Sequence, residues 1–132
     1  MAKDSAGSIG DERERTMIDR ELNVTVDPAP LRPGEAPVIT VAGEIDIQTS
    51  PQLEKSLQGI LEAGSASVFV DLADVTFLDS TGLSVLVGAL QRCREAGGSL
   101  RLRSPKPNIR RVLEITGLTE AFQVTSTDST AG

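Results

Sequence analysis

Stretches with apolar residues at helical spacing alternate along this chain with short runs rich in β-branched residues. The helical stretches cover residues 50–63, 80–96 and 108–116, and a glycine directly follows each of them. The strand-like runs are residues 21–27, 38–42, 67–72, 99–104 and 121–124. This alternation is typical of strand–helix–strand units, which place parallel strands side by side in one sheet.

The order of these elements predicts a single α/β domain with a mixed sheet of about five strands and helices mainly on one face. The sheet is mixed because the first two strands follow each other without a helix and form a hairpin. The nearly continuous apolar run 67–72 predicts a central strand buried on both faces. The domain covers residues 21–124, between a disordered arm over 1–20 and a flexible tail over 125–132, since both ends are polar and lack a period.

Residues that start and stop helices stand at the ends of the helical stretches. Ser50, Ser80 and Asn108 are expected as N-caps, because their side chains can accept a hydrogen bond from the first helical turn. At the end of the third helix, Gly117 predicts a Schellman cap in which Leu118 packs back on Leu113.

Composition excludes several classes of function. The chain has 132 residues, a net charge of −6, one cysteine and no histidine, tryptophan or tyrosine. The acidic balance and the missing stacking rings disfavour nucleic acid and anionic membranes as partners. Without histidine, neither a Ser-His-Asp triad nor an ordinary zinc site can form, so we expect no metal and no enzyme activity. The lone Cys93, predicted to lie in the core, and the missing secretory signal indicate the cytoplasm.

The segment LDSTGL, residues 78–83, places an acid, two hydroxyls and a glycine between apolar runs. One interpretation is structural: Ser80 caps the helix and Asp79 lies where the helix dipole favours negative charge. The other is functional, because one cap needs only one hydroxyl and a first-turn glycine is a poor helix former unless something comes close. The segment also follows a buried strand, where open α/β sheets usually carry function. Both interpretations remain open from the residue types.

Three segments together carry a resemblance to a known family. They are VTFLDSTGLSVLVGAL at residues 75–90, GEID at 43–46 and ITGLTEAF at 115–122. Together they resemble the STAS domain family and, more narrowly, the bacterial anti-sigma factor antagonists. The resemblance covers about residues 21–124.

The resemblance implies that Ser80 is the serine phosphorylated by the partner, with the adjacent Thr81 as a lesser candidate. Gly82 is expected to let the partner backbone approach. Asp46 matches the acid of a loop that contacts the partner, and a turn residue that caps the first helix region is the alternative for it. The residues that the resemblance implies for partner binding are Asp46, Asp79, Ser80, Thr81, Gly82 and Leu83.

The function implied by the resemblance is partner switching. The unphosphorylated form binds an anti-sigma factor, itself a serine kinase, and so releases the sigma factor. Phosphorylation at Ser80 switches binding off with little refolding, and a serine phosphatase acting on phospho-Ser80 restores it. The ATP belongs to the kinase, so no cofactor is expected. The alternative is a STAS interaction module in a lipid-transport or stress-signalling scaffold complex.

Overall fold

The computed structural model describes residues 22–27 and 36–125. The predicted arm and all but the first residue of the predicted tail lie outside these ranges. Seven elements follow one another along the described chain: β1 (Asn23–Asp27), β2 (Val38–Ile45), α1 (Ser50–Glu62), β3 (Val68–Leu78), α2 (Ser80–Glu95), β4 (Leu100–Arg103) and α3 (Pro107–Ile115). Within the described residues, no helix combines the length and the apolar character that crossing a membrane requires.

The four strands form one mixed sheet in the order β1-β2-β3-β4. β1 pairs antiparallel with β2, so the predicted opening hairpin is confirmed. β3 runs parallel to both of its neighbours, with Val70 opposite Ile39 on β2 and opposite Leu102 on β4. The connections through α1 and α2 therefore place the carboxyl ends of β2 and β3 at the same edge of the sheet.

A fifth strand over residues 121–124 does not form in the described chain. The segment does lie beside β4, because the N–H of Leu102 donates to the carbonyl of Phe122 at 3.1 Å. However, Gln123 has a φ of 47°, which interrupts extended backbone, and regular pairing reduces to one bridge between Arg103 and Thr125. Backbone bonds to preceding residues hold this segment in turns: the N–H of Phe122 donates to the Leu118 carbonyl and the N–H of Val124 to the Thr119 carbonyl, both at 3.1 Å.

The central strand β3 differs from its prediction in length and in burial. It continues beyond residue 72 to Leu78, because its second half pairs with β2 as far as Ile45. The pairing shifts register twice and leaves an extra residue on β3 each time, which is the mark of a β-bulge. Only one face is fully buried: Phe69 on the other face is half-buried, and the Arg103 guanidinium lies 4.6 Å from its ring centroid.

The helices cover one face of the sheet, as predicted. On β2, β3 and β4 the inward positions are buried while the residues between them are exposed or half-buried. The buried inward side chains of these strands are Ile39, Val41, Ile45, Val68, Val70, Leu72, Val75, Leu78, Leu100 and Leu102. They pack with the apolar stripes of the three helices into one continuous core.

The helix starts differ from the predicted N-caps. The caps are Thr49, Asp79 and Lys106, not Ser50, Ser80 and Asn108. Proline explains the third case, because Pro107 takes the first helical position and moves the cap to the residue before it. The Asn108 side chain instead donates to the Thr76 carbonyl at 3.1 Å, which ties α3 to the end of β3.

The end of α3 forms the Schellman cap that the sequence predicts. The N–H of Leu118 donates to the Leu113 carbonyl at 2.8 Å, and the N–H of Gly117 donates to the Glu114 carbonyl at 3.1 Å. Gly117 has a φ of 74°, a conformation that a side chain would strain. Leu118 then packs against the same core that buries Leu113.

Candidate functional site

The GEID and LDSTGL segments meet at one edge of the sheet. Ile45 and Leu78 are register partners at the carboxyl ends of β2 and β3. The N–H of Asp79 donates to the Ile45 carbonyl at 3.1 Å, which extends this pairing by one residue. We call residues 45–50 and 78–83 the carboxyl edge. GEID and LDSTGL, although far apart in sequence, are therefore neighbours where the chain leaves the sheet.

Asp79, rather than Ser80, caps helix α2. Its Oδ1 accepts the N–H of Gly82 at 3.0 Å, and its carbonyl accepts the N–H of Leu83 at 2.9 Å. Asp79 has the extended backbone of an N-cap, which turns its carboxylate over the first helical turn. The structural interpretation of the segment therefore applies to Asp79 and leaves the two hydroxyls unexplained.

Ser80 is the first residue of α2, and it is exposed. Its hydroxyl makes no hydrogen bond with any other residue of the described ranges. Thr81 is half-buried, and Leu83 is half-buried with its side chain against the core. Of the two adjacent hydroxyls, the one on Ser80 is thus the more accessible to a partner.

The Asp46 carboxylate is part of a turn and is only 5% exposed. Its Oδ1 accepts the N–H of Gln48 at 2.9 Å and the N–H of Thr49 at 3.1 Å. The Thr49 hydroxyl in turn lies 2.6 Å from the Glu44 carbonyl oxygen and donates to it. This geometry agrees with the interpretation of Asp46 as a turn residue ahead of the first helix. The carboxylate shapes the loop and exposes little surface of its own.

Gly82 is buried, and the close approach that the sequence predicts at this glycine occurs inside the protein. A Cβ at this position would lie 2.4 Å from Cγ2 of Ile45 and 2.8 Å from Cδ1 of Leu78. The glycine is therefore required because α2 starts directly against the ends of β2 and β3. The glycine thereby sets how close the start of α2, and with it Ser80, lies to the Asp46 loop.

Ile47 belongs to this edge and was missed by the sequence reasoning. Its side chain is 71% exposed, directly after the buried Asp46. Ile47 lies two residues after the buried Ile45, but β2 ends at Ile45 and the bonds that the Asp46 carboxylate accepts turn the chain, so Ile47 does not enter the core. The turn-forming Asp46 in GEIDIQ was the signal that could have identified it. Ile47 gives the carboxyl edge an apolar contact beside its hydroxyls.

Replacing Asp79 tests whether its side-chain cap stabilises the start of α2. We expect Asp79→Ala to lower the free energy of unfolding by about 1 kcal/mol, because the Gly82 N–H loses its acceptor. Asp79→Asn is the matched control, since its side-chain oxygen can still accept this bond. Urea unfolding of the two variants measures the difference. Equal losses for both would show that the carboxylate charge, rather than the cap, stabilises the helix.

The described part of the chain contains no group of three or more His, Cys, Asp or Glu side chains that could hold a metal ion. Cys93 is fully buried on α2, as expected of a core residue. Burial raises the pKa of the Cys93 thiol, although the nearby Arg92 acts in the opposite direction. A buried thiol of this kind is a poor nucleophile. The reactive group that the carboxyl edge exposes is therefore the Ser80 hydroxyl.

Comparisons with known proteins show which family this sequence and fold are similar to. The model of the STAS domain family matches residues 28–131. The anti-sigma-B factor antagonist of Bacillus subtilis (strain 168) is 34% identical over 106 residues, which cover 80% of this chain and 94% of that protein. An anti-sigma factor antagonist from Mycobacterium paratuberculosis, solved by crystallography, has a TM-score of 0.68 at 28% identity and covers 82% of this chain and 89% of its own.

The anti-sigma factor antagonist SpoIIAA shares the fold in two states. Its unphosphorylated form has a TM-score of 0.66 at 21% identity and covers 83% of this chain and 92% of its own. Its phosphorylated form has a TM-score of 0.62 at 20% identity and covers 83% and 96%. The resemblance drawn from GEID, LDSTGL and ITGL is thereby confirmed, and the chain belongs to the STAS domain family.

Proposed function

We propose that this protein is an anti-sigma factor antagonist. In this proposal its unphosphorylated form binds an anti-sigma factor and frees a sigma factor, and phosphorylation of Ser80 ends the binding. The observation that carries the proposal is the exposed Ser80 hydroxyl, which is not needed as a cap because Asp79 supplies it. The names of the similar proteins support the antagonist function, and the phosphorylated form of SpoIIAA supports control by phosphorylation.

The carboxyl edge has the composition of a small docking surface. Ile47 offers exposed apolar area, and Ser80 and Thr81 offer hydroxyls beside it. Asp46 acts in this proposal by fixing the loop that presents Ile47, through its bonds to the backbone of residues 48 and 49. Apolar anchors surrounded by polar groups are the usual source of affinity in such interfaces. In this proposal the partner thus binds the carboxyl edge as a preformed surface.

The covalent step needs only an acceptor from this chain. The anti-sigma factor is a serine kinase in this proposal and holds the ATP. The Ser80 oxygen attacks the γ-phosphorus, the bond from that phosphorus to the departing ADP breaks, and the hydroxyl proton passes to a base on the kinase. A serine phosphatase later transfers the phosphoryl group to water and restores the hydroxyl. The chain itself is therefore neither an enzyme nor the holder of a cofactor, and it works in the cytoplasm with its partners.

A pull-down from native lysate tests the proposed function. Wild-type protein, Ser80→Ala and Ser80→Asp serve as baits, and mass spectrometry identifies what each retains. We expect an ATP-binding anti-sigma kinase on Ser80→Ala and its loss from Ser80→Asp, because the added carboxylate places charge at the center of the interface. Thr81→Asp is the control for the lesser candidate and is expected to have the smaller effect, since Thr81 is half-buried.

One result of this pull-down would contradict the proposed switch. If all three Ser80 baits retain the same partners, the proposed switch is wrong. Retention of a membrane transporter or of a very large assembly by all baits would favour the interaction module of a lipid-transport or stress-signalling scaffold.

A further inference from the structure

A groove of about 520 Å³ lies on the far side of the molecule from the carboxyl edge. It is bounded by Val26 near the end of β1, Pro37 just before β2, and the last turns of α1. The Pro37 carbonyl accepts the N–H of Phe69 at 2.9 Å, which places this wall at the amino ends of β2 and β3. Because β2 extends over eight residues, the Pro37 wall and the carboxyl end of β2 are roughly 25 Å apart. Lys55, at the other end of the groove, lies about 8 Å along α1 from Ser50.

Gly59 leaves this groove open, and packing does not explain it. Glycine is disfavoured inside helices, yet Gly59 lies within α1. A Cβ at Gly59 would meet no atom within 4 Å, and the residue does not adopt a positive φ. Ala63 lies one turn further along the same face and also lines the groove. A larger side chain at residue 59 would instead project into the open volume.

Lys55 places a single cation beside this apolar wall. It lies one turn before Gly59 on the same helix face and lines the groove with Ile60. No carboxylate within the described ranges forms an ion pair with Lys55. The residues three and four positions away on either side are Pro51, Gln52, Gln58 and Gly59, so none of these helix positions supplies a counter-charge to Lys55. Lys55 is exposed, so among the described residues its ammonium group is available to an anion at the rim of the groove.

We propose that the groove binds a medium-chain fatty acid, with its alkyl tail along Gly59 and Ile60 and its carboxylate at Lys55. The volume lies within the range of about 300–1,000 Å³ that small-molecule sites occupy. A standard protein interface employs roughly 20–30 residues on each side, many more than the groove walls provide. The lining is mostly apolar, with two serines, Ser56 and Ser65, and one cation, Lys55, and this composition matches an alkyl chain with one anionic end. This site is separate from the proposed phosphorylation switch and does not depend on it.

A titration with sodium decanoate, kept below its micelle concentration, tests the site on the full chain. Amide signals in two-dimensional NMR spectra report where the probe binds. We expect saturable shifts of the amides of Lys55, Gly59 and Ala63, with signals of the carboxyl edge unchanged. Decyltrimethylammonium has a similar tail and a positive head, and it is expected to bind more weakly because Lys55 repels it.

Three variants locate the binding. Gly59→Leu fills the groove and is expected to weaken decanoate binding at least about tenfold. Lys55→Gln keeps the stem and removes the charge, with an expected loss of about two- to fivefold, the scale of an exposed ion pair. Gly88→Leu is the matched control, because Gly88 also lies inside a helix and a Cβ added there would meet no atom within 4 Å. It is expected to bind decanoate like the wild type.

The outcomes separate the proposal from its alternatives. If Gly59→Leu does not fold, Ala63→Leu fills the same groove from the exposed end of α1 and takes its place. Absence of saturable shifts in the wild type, or equal affinity of wild type and Gly59→Leu, overturns the proposal. Stronger binding of decyltrimethylammonium overturns the role of Lys55. Retention of a protein partner that Gly59→Leu loses, without any decanoate effect, would replace the fatty acid by a protein.

Discussion

Phosphorylation of Ser80 is expected to weaken the binding of the anti-sigma kinase by about 100-fold, which corresponds to roughly 3 kcal/mol. The phosphate adds a charge of about −1.5 to −2 at pH 7. It appears beside the Asp79 carboxylate on a chain that already carries −6. At the start of α2 no described group accepts the N–H of Ser80 or Thr81, so both amides can bind the phosphate without changing the helix. The loss of binding free energy is therefore expected at the interface, where the partner must desolvate or displace the dianion.

Calorimetric titration of the purified kinase with both forms of the protein measures this loss. Circular dichroism of the two forms is expected to be the same, because the Asp79 cap and the core do not involve the Ser80 hydroxyl. Gln91→Glu is the control for charge alone: it adds one negative charge at an exposed position on α2, about three turns from Ser80. We expect it to leave the affinity nearly unchanged. If Gln91→Glu lost affinity to a similar extent, the effect would be due to the net charge of the protein rather than to the position of the phosphate at the carboxyl edge.

The sequence predicted the order of the elements well, because each helix carries its own stop signal. Gly117 with Leu118 is the sharpest case: one glycine and one apolar residue specified a cap that the structure reproduces down to its two hydrogen bonds. Such signals are local, since they depend on residues within one turn of the helix end. The family followed from the three quoted segments, given their matching positions between strands and helices.

Features that depend on pairing between distant segments were predicted poorly. The buried positions of β3 are 68, 70, 72, 75 and 78, so the spacing changes from two to three after Leu72. The two bulges produce this change, and they arise from the register with β2, which no local pattern of β3 reveals. The N-caps show the same limit on a smaller scale. Asp79 and Ser80 are both good caps by residue type, and the bond from the Asp79 N–H to Ile45 decides which one is used.

The second large effect is expected at Gly82. Glycine-to-alanine changes inside a helix usually stabilise it by about 0.5–1 kcal/mol. At Gly82 we expect the opposite, a loss of about 1–3 kcal/mol in the free energy of unfolding, as is typical of overpacking a filled core. The reason is that the new Cβ would lie 2.4 Å from Cγ2 of Ile45 and 3.2 Å from its Cβ, and Ile45 is fully buried. The start of α2 must move away from β2, or Ile45 must change its position. Urea unfolding of Gly82→Ala measures the effect.

Two further variants show whether the contact with Ile45 is the cause. Gly88→Ala lies on the same helix with nothing within 4 Å of its Cβ, so it is expected to stabilise the protein and to differ from Gly82→Ala in sign. Ile45→Leu removes the branch methyl that the new Cβ would strike, so Gly82→Ala should cost less in the Ile45→Leu background than in the wild type. If Gly82→Ala instead stabilises the protein as Gly88→Ala does, α2 can shift freely at its start. The distance between the Asp46 loop and Ser80 would then not be fixed by this glycine.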